Sequence, residues 1–157
     1  MPAKVFRIQL AEFNGGQPHP HVLVLSSSRN CVVVPACTIG KNWAESYMAA
    51  MRKLLYQPEQ IAVRIDNSRH VAFKQEYTGN VAYWFPFPLR QVPRRVIDAA
   101  EEIGEMNDVA LLAIVKCFLS RPGTGDLSPA DIRRLESLRL QLEAAVATLL
   151  PSELALE

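Results

Sequence analysis

The stretch from His19 to Thr38, HPHVLVLSSSRNCVVVPACT, holds two apolar runs on either side of a Ser-Ser-Ser-Arg-Asn turn. Residues 21–26 (HVLVLS) and 31–36 (CVVVPA) are short and rich in β-branched side chains, which is the composition of strands. The unbroken hydrophobicity of the first run marks a central strand covered on both faces. With the turn between them, the two form the middle of a β-meander.

Upstream, Phe6, Ile8 and Leu10 alternate with Arg7 and Gln9, the period of two expected of a half-buried strand. Residues 14–20, NGGQPHP, have the Gly, Pro and Asn density of a loop. Downstream, Tyr47, Met48, Met51, Leu54 and Leu55 recur at helical spacing, and Pro58 stops the run, so a helix over 43–56 is inserted between strands. Residues 61–66 and 70–77 read as strands around an Asn-Ser-Arg turn, and 80–87 as another. Pro86, Pro88 and Pro93 cannot donate to a central ladder, which places the end of that region at an edge.

The last third is helical. Residues 93–107 predict a short helix with a break near Gly104, and 108–120 a longer apolar helix. Residues 121–127, RPGTGDL, form a flexible joint. Ser128 then caps a helix with Pro129 in its first turn, and its Ile132, Leu135, Leu138, Leu142 and Val146 form a stripe that must bury itself on the domain or on another chain. The expected organisation is a domain over 1–120, a linker over 121–127 and an amphipathic helix over 128–157.

A chain of 157 residues, 49% hydrophobic and 21% charged, has room for one buried core. Its apolar runs are too short to span a bilayer, and its first residues lack a signal-peptide h-region, so a cytoplasmic protein without membrane contact is expected. Seventeen Lys plus Arg against sixteen Asp plus Glu give no global pull toward nucleic acid, so nucleic-acid binding needs a local patch. Cys31, Cys37 and Cys117 form no C-x-x-C pair and read as free, buried thiols, and no metal site or cofactor is expected.

Several residues have chemistry to offer, each with a plainer alternative. His19 and His21 suit proton transfer near neutrality, or a solvated loop. Thr38 and Lys41, with the amides around Gly40, suit a phosphate cradle at a strand end, or an ordinary turn into a helix. Arg64 and Asp66 share a strand face because side chains repeat every second residue, as a working pair or a surface ion pair. Arg90, Arg94 and Arg95 form a local cationic cluster just after Tyr83, Trp84, Phe85 and Phe87, a mix that suits single-stranded nucleic acid or else a core and a dimer edge.

The order of strand, Gly/Pro loop, Val22–Ser26, Val33–Thr38 and the basic 88–98 segment leading into Ile103–Val115 resembles the MazF/PemK (Kid/CcdB-like) toxins over about the first 120 residues. Those proteins show a Gly-x-Arg-Pro-x-Val-Val-Leu-Ser strand, an x-Val-Pro-x-Thr strand and a closing Ile-Gly-x-Leu-Ser before an amphipathic helix. The resemblance implies an α+β, mainly β fold: an SH3-like small barrel, here with an inserted helix and C-terminal helices, usually a homodimer with an antitoxin or other protein partner. It also implies metal-independent endoribonuclease chemistry on single-stranded RNA.

That chemistry needs a group to take the 2′-hydroxyl proton, another to protonate the leaving oxygen, and donors for the phosphorane charge. Carried over by position, Thr38 stands for the family's strand-ending Thr and Arg64-Ile65-Asp66 for its Arg-x-Asp, while His19-Pro20-His21 stands where its Arg-Pro is expected. The resemblance thus implies Thr38, His21, Arg64 and Asp66 as catalytic residues, and Lys41, Arg90, Arg94, Arg95 and Trp84 as RNA-binding ones. The missing Arg, the near-neutral charge and the added helix suit a second reading, a catalytically inert SH3-like module that binds a protein through its aromatic edge and C-terminal helix.

Overall fold

The computed structural model describes residues 3–10, 18–38, 42–54, 56–75, 81–86, 90–120 and 127–157, with the side chains of Thr38, Asn42, Trp43, Ala44, Pro58, Glu59 and Arg90 outside that description. The chain is α+β, and helix outweighs strand among the described residues, where mainly β was expected.

Three strands, β1 (Ala3–Gln9), β2 (Pro18–Ser26) and β3 (Asn30–Thr38), form the expected meander. After helices α1 (Asn42–Lys53) and α2 (Pro58–Ile61) come β4 (Val63–Asp66), the single turn α3 (Asn67–His70), β5 (Val71–Phe73), β6 (Val81–Trp84) and β7 (Arg90–Pro93). Then follow α4 (Arg94–Ala99), β8 (Glu101–Met106), α5 (Asp108–Ser120), α6 (Pro129–Val146) and α7 (Pro151–Leu154). The antiparallel sheet runs β4-β6-β3-β2-β1-β8-β5, with β7 also paired to β3.

Strand β3 explains why its sequence is apolar throughout. Val32, Val34 and Ala36 enter the main core on one face, whereas Cys31 and Val33 enter a second cluster on the other. Its outer edge pairs with β7 through Val33 and with β6 from Ala36 onward. Pro35 sits at that change of partner, where its missing N–H costs no ladder bond on this side, and its carbonyl accepts from Phe85 N at 2.9 Å. Register shifts at Val5/Phe6 in β1 and between Leu23 and Leu25 in β2 add the local bend that curls a sheet.

The two end strands of the sheet, β4 and β5, are consecutive in the sequence and joined by α3 alone, so the curled sheet's two ends meet at this turn. Four helical residues rise about 6 Å, so a helical turn rather than a ladder spans the seam. Inside the curl, Val5, Val22, Val34, Ile65, Trp84 and Met106 pack against α5, whose apolar residues are buried nearly all round. Leu135 and Leu142 of α6 join that same core, so the α6 stripe is buried on its own chain. Residues 121–126 of the expected joint lie outside the described residues, and Leu127 beside them is buried.

Two expectations change. Residues 101–106 form a strand, not the end of a helix, and Gly104 pairs with both Val5 and Phe73. A Cβ at Gly104 would lie 2.6 Å from the Ala72 carbonyl oxygen, so close strand approach, not a helix break, is what requires glycine here. The Asn-Ser-Arg turn is the helical turn α3, capped by Asp66, whose Oδ1 accepts from Ser68 N at 3.0 Å and from Ser68 Oγ at 2.6 Å. Among the described residues no helix is long and apolar enough to cross a membrane.

Candidate functional site

Beside β4 runs a groove of about 630 Å³ whose walls come from distant parts of the chain. Helix α1 supplies Met48 and Arg52, four residues apart and so on one face. Helix α5 supplies Ala113, Lys116, Cys117 and Ser120, at the three-and-four spacing of a single stripe. Ala62 just before β4, Val63 and Arg64 of β4, Tyr83 of β6 and Leu156 complete it.

The groove is apolar along its floor and cationic at its edges. Its three charged lining residues, Arg52, Arg64 and Lys116, are all positive among the described residues. Lys116 is the sole charged residue between 109 and 120, on a helix that is otherwise core. Register lines up Cys37, Tyr83 and Arg64 across β3, β6 and β4. The Glu157 carboxylate contacts Arg64 Nε. That hydrogen bond is the largest influence on Arg64 and raises its pKa above the ordinary value; desolvation opposes it, and Tyr83 adds a smaller push upward.

The sequence-predicted residues are distributed unevenly around this groove. Arg64 lies in it, and Asp66 shares its outward face as expected, but the Asp66 carboxylate is engaged in capping α3. Thr38 is placed by backbone register opposite Ala82, one residue out of step with the Arg64 row, and its side chain lies outside the described set. Lys41 also lies outside the described residues.

His21 is 0% exposed, so it is not a solvent-facing base. Its Nδ1 lies 2.9 Å from the His19 carbonyl, which only accepts, so Nδ1 carries the ring proton. His19 instead lines a separate cavity of about 240 Å³ with Arg7, Phe73, Lys74 and Glu101. Trp84 is likewise 0% exposed and donates from Nε1 to Asn67 Oδ1 at 3.0 Å, so it is a core anchor and presents no open ring for stacking.

Arg90, Arg94 and Arg95 are not among the described residues that line the groove. Arg94 and Arg95 follow Pro93 at the Asn30 end of β3, about 20 Å of strand from Cys37, whereas Arg90 pairs with Val33, about 13 Å of strand from it. Arg94 is used locally, donating from Nη1 to the Ser27 carbonyl at 3.2 Å. The side chain of Arg90 is outside the described set.

Sequence reading missed Arg52, Lys116 and Leu156, because nothing in their local pattern reveals that α1, α5 and the 155–157 segment converge on β4. The one local signal was the lone charge at Lys116 amid apolar neighbours. Among the described residues no group of three or more His, Cys, Asp and Glu side chains is placed to hold a metal ion. No known protein family, curated protein or solved structure matches this chain.

Proposed function

We propose that this chain is a diverged MazF/PemK-like protein with an SH3-like barrel that binds single-stranded RNA in the groove beside Arg64. The observation that carries the reading is the groove's composition: Arg52, Arg64 and Lys116 on an apolar floor with Tyr83, and no acidic residue among the described lining residues. Cations hold phosphates, while an aromatic face and apolar walls accept an unstacked base, and single strands offer both together. The SH3-like assignment is supported by the curled sheet whose end strands are joined by one helical turn.

Binding is better supported than cleavage. His21 is enclosed and Asp66 is bonded to Ser68, so neither faces the groove as an available proton acceptor. Cleavage would require Asp66 to leave Ser68 and take the 2′-hydroxyl proton beside Arg64. The protein-binding alternative is weakened by the same burial, because Trp84, Phe85 and the α6 stripe are used inside the fold.

The test is fluorescence anisotropy of an end-labelled, unstructured RNA in EDTA across a salt series, followed by electrophoresis of the same samples. Expected is binding that weakens with salt, as counterion release requires, is reduced several-fold by Lys116→Ala, and leaves the RNA intact. Absence of binding at low salt would sink the reading; cut RNA would restore the nuclease reading with Asp66 as its first suspect.

A further inference from the structure

Residues 155–157 lie across the seam between β4 and β5 and reach the groove. The amide of Asp66 donates to the Leu156 carbonyl at 2.7 Å, adding the segment to the open edge of β4. Arg69 donates from Nη1 to the Glu157 carbonyl and from Nη2 to the Ser152 carbonyl, both at 2.6 Å, and His70 Nε2 donates to the Ala155 carbonyl at 2.7 Å. These contacts deliver the Leu156 side chain to the groove wall and the Glu157 carboxylate to Arg64.

We infer that this segment is a built-in competitor for the groove, its Glu157 carboxylate holding on Arg64 the place that an RNA phosphate takes on binding. The inference rests on the RNA-binding reading above. Two features make the contact exchangeable. A carboxylate and a phosphodiester carry the same single charge and both accept from a guanidinium, so Arg64 can pass from one to the other without a stranded charge. The pair is also exposed, with Arg64 and Glu157 side chains 52% and 47% accessible, so solvent screens it and displacing it costs little.

The segment's anchors differ from its competitor in kind. Asp66, Arg69 and His70 hold the backbone of 155–157, and His70 is itself buried. Of the segment's contacts, the Glu157 carboxylate is the one made to a groove cation, and Lys116 is paired separately, with Glu143 Oε1 at 4.0 Å. Exchange at Arg64 therefore leaves the seam closed, and the result is a graded reduction in affinity rather than a lid that must open.

The experiment compares RNA affinity of the full chain with that of Glu157→Gln, Arg64→Ala and the double variant, with Glu153→Gln in the adjoining α7 as a charge control. Glu157→Gln is expected to bind RNA about two- to fivefold tighter, the scale of an exposed ion pair. Arg64→Ala is expected to bind more weakly, and in its background Glu157→Gln should give no gain. RNA binding by the parent with no gain from Glu157→Gln, a gain that persists without Arg64, or an equal gain from Glu153→Gln each overturns the competitor. No binding by any of the proteins instead overturns the RNA reading itself, and binding that Arg64→Ala leaves unchanged overturns both.

Discussion

His70 and Asn107 are hydrogen-bonded side chain to side chain, His70 Nδ1 lying 3.0 Å from the amide nitrogen of Asn107 and 3.2 Å from its Oδ1. Asn107 Oδ1 accepts from Ala110 N at 3.1 Å as the cap of α5, which turns its amide nitrogen toward His70 Nδ1, 3.0 Å away. The Ala155 carbonyl only accepts, so the ring donates to it from Nε2, and in the neutral tautomer this leaves Nδ1 to accept from the Asn107 amide. One buried imidazole joins the seam turn α3, the start of α5 and the segment that reaches the groove.

Replacing Asn107 by Ala removes the α5 cap and the donor to Nδ1 together. A lost cap costs about 1 kcal/mol, and a buried acceptor left without its donor adds about 1–3 kcal/mol. Urea unfolding of Asn107→Ala is expected to show a loss of about 2–4 kcal/mol, the sum of those terms, with an unchanged m-value. A loss below about 0.5 kcal/mol would show that the amide does not link the two elements.

Gly104→Ala sets two effects of opposite sign against each other. Glycine within a strand is ordinarily worse than alanine by about 0.5–1 kcal/mol, because it loses more backbone freedom on folding. Here the new methyl would meet the Ala72 carbonyl oxygen at 2.6 Å, and backbone cannot swing aside as a flexible side-chain end does. Overpacking of this kind costs about 1–3 kcal/mol, so the clash wins. Thermal unfolding should show a lower midpoint, and hydrogen exchange should show faster opening of Val71–Phe73 than of β2. A more stable variant would mean that β5 can move off β8.

Charged groups on the β1, β8 and β5 side predict a pH effect. Glu102 accepts from Lys74 Nζ at 2.7 Å and lies 3.3 Å from Lys4 Nζ. The hydrogen bond from Lys74 is the largest influence, Lys4 adds to it, and together they hold the Glu102 carboxyl below its ordinary pKa. A carboxyl lowered by folding gives stability that is present above its unfolded pKa, about 4.3, and is lost as pH falls through the folded value. Glu102→Gln is expected to lower the melting temperature slightly at pH 7 and to flatten its decline below about pH 4.5. Melting curves of the two proteins that run parallel from pH 7 to pH 3 would refute the assignment.

Much of the fold was legible because the period-two pattern of β1 and the twin apolar runs of β2 and β3 are local signals. Strand β8 was not: Glu101, Glu102 and Glu105 around Gly104 look like a helix break, and only the approach of β5 shows why glycine stands there. At the site, period two placed Arg64 and Asp66 on one face correctly, since it needs no knowledge of neighbours. For Trp84 the sequence left stacking and core both open, and the choice of core rests on a place in the sheet, between Ala36 and Val63, that its own segment does not carry. His21 was misread, because His19-Pro20-His21 looks like the end of a loop but lies within β2, where His21 is 0% exposed.

The α6 helix offers the sharpest division between a structural and a presenting role. Leu135 is fully buried in the core shared with α5 and β2, whereas Leu140 is 60% exposed on the same helix. If the helix serves the fold, Leu135→Ala opens a cavity under α5 and costs about 2–5 kcal/mol, while Leu140→Ala stays within about 0.5 kcal/mol. If it served chiefly to present a surface, both changes would be mild. Chemical denaturation of the two variants separates these outcomes, and the burial of Leu135 and Leu142 leads us to expect the first. The same loss of core should reach the groove, because α5, which carries Lys116 and Cys117 to it, packs against α6, with Lys116 Nζ 4.0 Å from Glu143 Oε1. RNA affinity is therefore expected to fall in Leu135→Ala under conditions where the protein is still folded, and to be unchanged in Leu140→Ala.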